Sequence, residues 1–142
     1  MELLIKRIDQ TLPLPEYQTA GSVAFDLYAR VETVIDPHSI ALIPVNLIIK
    51  VPDDYVILIA SRSSTPLKKG LMCANGIGII DQDFCGDDDE IRYAAYNFTT
   101  EPVTVPRGDR IGQALLVKIA KPALIETDQI SAASRGGFGS TG

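Results

Sequence analysis

The chain of 142 residues has no tryptophan, one histidine, two cysteines and four phenylalanines. Each scarcity excludes a class of chemistry. His38, the only histidine, sits in the turn-forming run Asp36-Pro37-His38-Ser39 with no partner residue at useful spacing. A His-dependent triad and a His-ligated zinc are therefore disfavoured, and His38 reads as structural or exposed. Cys73 and Cys85 make neither a disulfide framework nor a metal-binding spacing, so free thiols in a cytoplasmic protein are expected. No apolar run is long enough to span a membrane, and Met1–Arg7 interleaves charges where a secretory leader would be apolar. The formal net charge of −5 leaves no basic face for nucleic acid. It does not exclude a small phosphate ligand, which a few arginines and a divalent cation can neutralise locally. Neither nucleic acid nor membrane is an expected partner.

What is abundant is aliphatic residues, nine prolines and eleven glycines spread along the chain. That mixture favours one domain of many short strands and tight turns over long helices. Strands are expected over residues 2–7, 20–29, 31–35, 40–43, 45–51, 55–60, 91–98, 103–105 and 111–119. Asp26 then faces away from the Phe25 and Leu27 side, as a solvated strand aspartate or a functional group. Ser61-Arg62-Ser63-Ser64-Thr65-Pro66-Leu67-Lys68-Lys69-Gly70 breaks the pattern. Hydroxyls precede a proline, and lysines precede a glycine, the order of one short capped helix. It reads as an ordinary capped turn or as an anion site built from N–H groups, hydroxyls and a guanidinium.

Asn75-Gly76-Ile77-Gly78-Ile79-Ile80-Asp81-Gln82-Asp83-Phe84-Cys85-Gly86 holds the densest signal. Three isoleucines broken by glycines suggest a buried, bending strand; Asp81 follows, then an aromatic turn. It is a hairpin with an acidic tip, or a backbone that holds a flat ring and aims a base. The acidic run Asp87-Asp88-Asp89-Glu90 reads as a solvated loop tip. Gln113 reads as a satisfied sheet residue. Residues 121–133 show no sustained period. The glycine-rich tail from Ser134 to Gly142 is a frayed terminus or a mobile lid over a nucleotide.

Five ordered segments together resemble the trimeric dUTP diphosphatases. They are Ala20-Gly21-Ser22-Val23-Ala24-Phe25-Asp26-Leu27, Ser61-Arg62-Ser63-Ser64, Gly78-Ile79-Ile80-Asp81-Gln82-Asp83-Phe84, Arg107-Gly108-Asp109-Arg110-Ile111-Gly112-Gln113 and Arg135-Gly136-Gly137-Phe138-Gly139-Ser140-Thr141-Gly142. The resemblance spans nearly the whole chain. It implies an all-β jelly roll of the β-clip type over residues 1–133, with a flexible tail over 134–142. It implies a homotrimer with each active site shared between subunits, and hydrolysis of dUTP to dUMP and pyrophosphate with Mg²⁺. By that resemblance Asp81 is the general base for the attacking water and Asp26 holds a magnesium-bound water. The resemblance gives Arg62, Ser63 and Gln113 contacts to the phosphate chain and counts Ser64 among the substrate-binding residues. Asn75 and the main chain from Gly76 to Ile80 read uracil, and Phe84 packs on the deoxyribose. Arg135 pairs with the terminal phosphate, and Phe138, with Gly139 beside it, closes over the base.

The match has departures. Phe84 stands where the family usually has Tyr, Ser64 where it has Gly, and Cys85 where Arg or Gln is usual. About three extra residues lengthen the loop around Asp87–Glu90, and Arg135 stands about two residues closer to Phe138 than the usual tail Arg. A dCTP deaminase of the same fold, or a bifunctional relative, is the main alternative; but Leu67 stands where it would need a second Arg, and Ala94 where it would need its catalytic Glu. A non-catalytic nucleotide-binding regulator is the other.

Overall fold

Short β-forming runs carry the described residues into eleven strands and one five-residue helix. The computed structural model describes residues 1–130, 133, 134 and 136. In chain order the strands are β1 (Leu4–Arg7), β2 (Phe25–Tyr28), β3 (Thr33–Ile35), β4 (Ile40–Pro44), β5 (Leu47–Lys50), β6 (Tyr55–Ala60), β7 (Leu71–Cys73), β8 (Gly78–Ile80), β9 (Arg92–Asn97), β10 (Val103–Val105) and β11 (Arg110–Lys118). Helix α1 (Thr65–Lys69) lies between β6 and β7. Every pairing is antiparallel, in a four-stranded sheet β2-β11-β6-β8, a three-stranded sheet β4-β9-β7 and the pairs β1-β5 and β10-β3. This is the all-β jelly-roll class that the sequence implied.

The core is filled by one face of each sheet, as period-two alternation requires. Ile57 and Ile59 of β6, Leu27 of β2, Ile111 and Ala114 of β11, and Tyr93 and Ala95 of β9 are buried in one cluster. Asn97 is fully buried, and its amide is satisfied on both sides: it donates to the Ile35 and Glu101 carbonyls and accepts from Thr99. Helix α1 has the expected proline in its first turn, lysines in its last, and Gly70 closing it at φ 65°. One part of that reading fails: the Ser64 hydroxyl makes no cap hydrogen bond.

Four further expectations are corrected. The stretch from Asn75 is not a hairpin. Strand β7 pairs with β9 and β8 pairs with β6, so residues 74–77 carry the chain from one sheet to the other. Gly76 makes the crossing at φ 72°, in the left-handed region that glycine enters without a steric penalty. Nor are its isoleucines a buried run, because β8 is an edge strand; Ile77 and Ile79 are 54% and 66% exposed. Glu90 is not part of a solvated tip. It forms a bidentate pair with Arg30, both contacts at 2.7 Å, and accepts the Asn46 N–H. Finally, the strand through Asp26 starts only at Phe25, leaving Val23 outside it and exposed.

Candidate functional site

Asp26, Gln113 and Ala60 stand in one row across β2, β11 and β6. Residues directly opposite one another on an antiparallel ladder project to the same face, so Asp26 and Gln113 share the face away from the core. Arg110 joins them through a local irregularity. The ladder shifts register between Arg110 and Gly112, so Arg110 pairs with Tyr28 and Gly112 with Leu27. In a regular strand, positions three apart point to opposite faces. The bulge at Ile111 cancels that alternation and puts Arg110 and Gln113 on one face with Asp26.

Asp26 is buried there, yet it is not unpaired. Its Oδ1 lies 2.7 Å from Nε of Arg62, just beyond the end of β6, and its Oδ2 accepts from Arg110 at 3.2 Å. Burial of a carboxylate is tolerable only with such compensation. The three side chains together carry a net charge of +1, with the two guanidiniums partly exposed above the buried acid. The solvated reading of Asp26 is thereby excluded. What the cluster offers is fixed N–H donors for an anion.

Gln113 donates from Nε2 to the Ser61 carbonyl at 3.0 Å, which sets the plane of its amide and leaves a second N–H. Arg62, Ser63, Ser64, Gln113 and Asp26 thus gather at the end of β6 that leads into α1. Asn75 opens the turn that follows β7, its Oδ1 accepting from the Cys73 thiol at 3.0 Å.

Asp81 lies elsewhere. Strand β8 runs antiparallel to β6, with Ile80 opposite Ile57, so Asp81 emerges at the Tyr55 end. Gln82 fixes this end by donating to the Pro52 and Tyr55 carbonyls. At ~3.3 Å per residue, Asp81 and Arg62 of one chain are separated by about 20 Å along β6. Asp81 opens into a cleft of about 430 Å³ lined also by Tyr55, Val56, Asp83, Ile119 and Lys121. The Phe84 N–H closes a turn on the Asp81 carbonyl, and its ring is 39% exposed beside the acid. Gly76 and Ile80, also assigned to the ligand, bracket the path between the two ends. Arg135, Phe138 and Gly139 lie outside the described residues.

The structure therefore divides the sequence-assigned residues into two groups rather than one constellation. It also adds Arg110, whose pairing with Asp26 depends on a bulge that no periodicity in the sequence reveals. Lys121, in the aperiodic stretch after β11, lines the Asp81 cleft and likewise carried no signal. Among the described residues, no three His, Cys, Asp or Glu side chains cluster as a metal site. Nor, among the described residues, is any helix long and apolar enough to cross a membrane.

A family model described as dUTPase matches residues 10–142. The deoxyuridine 5'-triphosphate nucleotidohydrolase of Caldanaerobacter subterraneus subsp. tengcongensis is 38% identical, over 99% of this chain and 97% of that protein. The protein of the same description from Helicobacter pylori (strain J99) is 37% identical, over 100% and 97%. The crystal structure of dUTPase from Streptococcus mutans superposes with a TM-score of 0.75 at 27% identity, covering 87% of this chain and 98% of that one. The Staphylococcus bacteriophage 80alpha dUTPase with dUPNHPP shares the fold at a TM-score of 0.86 and 22% identity, over 99% and 98%.

Proposed function

The chain belongs to the dUTPase family and hydrolyses dUTP to dUMP and pyrophosphate, and we propose that it does so at sites completed by neighbouring copies in a homotrimer. The observation that carries this reading is the separation of Asp81 from Arg62. A base acting at the α-phosphorus and a guanidinium on the same triphosphate must lie within one nucleotide's reach, and about 20 Å along a rigid strand is too far. Each chain therefore contributes Asp81 to one site and Arg62 to another. A second observation supports assembly. Residues 121–130 are exposed throughout, with Leu124, Ile125 and Ile130 at 96%, 85% and 79%. An extended apolar arm of that kind calls for a partner surface.

In this reading Asp81 accepts the proton of the water that attacks the α-phosphorus. Asn75, with the backbone of Gly76 to Ile80, hydrogen-bonds the uracil edge; Phe84 packs on the deoxyribose. Arg62, Ser63, Ser64 and the free N–H of Gln113 hold the phosphate chain from the adjoining copy. Arg135, Phe138 and Gly139 of the tail complete the enclosure, the role their residue types suit. Developing negative charge meets guanidiniums already fixed by Asp26, so little reorganisation accompanies the reaction.

Mg²⁺ is the metal this chemistry implies; the dUTPase of phage phi11 of S. aureus is described with a structural Mg(II) ion. The donor set here fits a hydrated ion carried on the triphosphate better than a resident one. Asp26 has both oxygens engaged by guanidiniums, so it suits acceptance from a metal-bound water rather than direct ligation. When bound, the ion neutralises phosphate charge. The setting we propose is cytoplasmic, where a free nucleotide is met and where Cys73 and Cys85 stay as the free thiols they are.

The test is incubation with dUTP, dCTP, dTTP and UTP in Mg²⁺, together with native mass. Pyrophosphate from dUTP alone and a mass three times the 15.3 kDa of the chain are expected. Ammonia from dCTP, or a monomer with full activity, overturns the reading.

A further inference from the structure

Ser61 is the point where three of the site-bearing elements meet. It follows the last residue of β6 and immediately precedes Arg62. Its Oγ accepts the Cys73 N–H of β7 at 2.9 Å and lies 2.8 Å from the Tyr93 hydroxyl of β9. Its carbonyl takes the Gln113 amide of β11. Two residues after Cys73 comes Asn75, tied back to the Cys73 thiol. A serine hydroxyl has one donor and two lone pairs, and these contacts use most of that capacity.

Tyr93 is held in place for this contact. It is fully buried, and its ring lies against the bare backbone of Gly112, where an added Cβ would come within 2.6 Å of the ring. The absence of a side chain at Gly112 is what lets the ring sit there. Burial lifts the Tyr93 hydroxyl to about 12, so it keeps its proton at working pH. A plain structural serine would need one partner. Here one residue links the start of the phosphate-contacting segment, the amide of Gln113 and the strand that ends in the Asn75 turn.

We propose that Ser61 is a positioning residue, set by Tyr93, that fixes Arg62, Ser63 and Gln113 relative to the Asn75 turn and so governs both phosphate binding and base selectivity. The proposal rests on the reading of those residues given above. Ser61 itself touches no substrate. Because a chain's Arg62 and its Asp81 serve different sites, each Ser61 ties the phosphate grip of one site to the base reader of the next.

The experiment compares Ser61→Ala, Ser61→Thr and Tyr93→Phe with the native protein, in KM and kcat for dUTP and in the ratio of kcat/KM for dUTP over dCTP. Thermal unfolding is measured alongside. Loss of about one hydrogen bond's worth of placement predicts that Ser61→Ala raises KM about tenfold, lowers the dUTP/dCTP ratio, and changes kcat less. Ser61→Thr, which keeps the hydroxyl, is expected within about twofold of native. If Ser61→Ala folds with a lowered Tm but native KM and ratio, Ser61 is structural only and the proposal fails. If Ser61→Ala does not fold, Tyr93→Phe decides by the same two readouts, since it removes only an oxygen. If the native protein itself releases no pyrophosphate from dUTP, it is the functional reading that fails instead.

Discussion

The Nε of Arg62 lies 2.7 Å from a carboxylate oxygen of Asp26, a residue buried on the outward face of its sheet. The acid holds the Arg62 guanidinium, with Arg110 on its other oxygen. Asp26→Asn leaves the shape and removes the charge. Hydrogen bonds to charged groups contribute ~1.5–3 kcal/mol, so the variant is expected to lose about 2 kcal/mol of stability and to raise KM for dUTP. Thermal unfolding and steady-state kinetics check both; an unchanged KM would mean that Arg62 keeps its place without Asp26.

Asp81→Asn removes the proposed base while keeping its size. Turnover should fall by about 10²–10⁴-fold, the usual contribution of general base catalysis. Binding of a non-hydrolysable dUTP analogue, measured calorimetrically, should stay near native. Near-native turnover would reassign the base.

Phe84 has an exposed ring three residues after Asp81 and no hydroxyl. If ring packing alone excludes a ribose 2′-OH, native protein prefers dUTP to UTP, Phe84→Tyr changes that preference little, and Phe84→Ala lowers it by about tenfold or more, the scale of a lost packing contact. Competition kinetics with the two nucleotides read it directly.

The arm over residues 121–130 is bare in a single chain. Truncation after Ala120 is expected to shift native mass from trimer toward monomer while the β11–β6 ladder, which ends at Lys118, stays folded. Mass photometry with circular dichroism separates the two. A truncated chain that remains trimeric places the subunit contacts elsewhere.

Tyr93 gives the fold an alkaline limit. Its folded hydroxyl titrates at about 12 because burial disfavours the phenolate, while an unfolded tyrosine titrates near ~10. Above pH ~10 the unfolded chain releases this proton and the folded one does not, so the Tyr93 contribution is intact below that pH and is lost as pH rises toward about 12. The difference amounts to about 2–3 kcal/mol. Tyr93→Phe should flatten that part of the stability–pH curve, as followed by urea unfolding at pH 9 to 11.

Sequence made much of this protein readable, for a physical reason. Tyr55–Ala60 and Val103–Val105 are strands with the bounds expected, the first an unbroken apolar run and the second an alternating one, each bounded by turn residues. The residues proposed to bear chemistry stand out by type: an acid after a glycine-broken strand, an Arg among hydroxyls before a proline. What stayed hidden was pairing. The register shift beside Ile111 depends on β2, not on β11 alone, so the shared face of Arg110 and Gln113 has no local signature. Glu90 looked like one acid among four; only the fold brings Arg30 to it from 60 residues away. Strand β7 was missed because Leu71-Met72-Cys73 is apolar throughout and shows no alternation to mark it.

The placement of Asp81 and Arg62 at opposite ends of β6 has a genetic consequence. On the proposed assignment, a chain with Asp81→Asn and a chain with Arg62→Ala are each expected to turn over only slowly as pure assemblies. When the two are unfolded together and reassembled, some sites draw their acid from one parent and their guanidinium from the other. Two impaired proteins mixed in this way are expected to regain part of the native rate, and mixing without exchange of subunits to restore none.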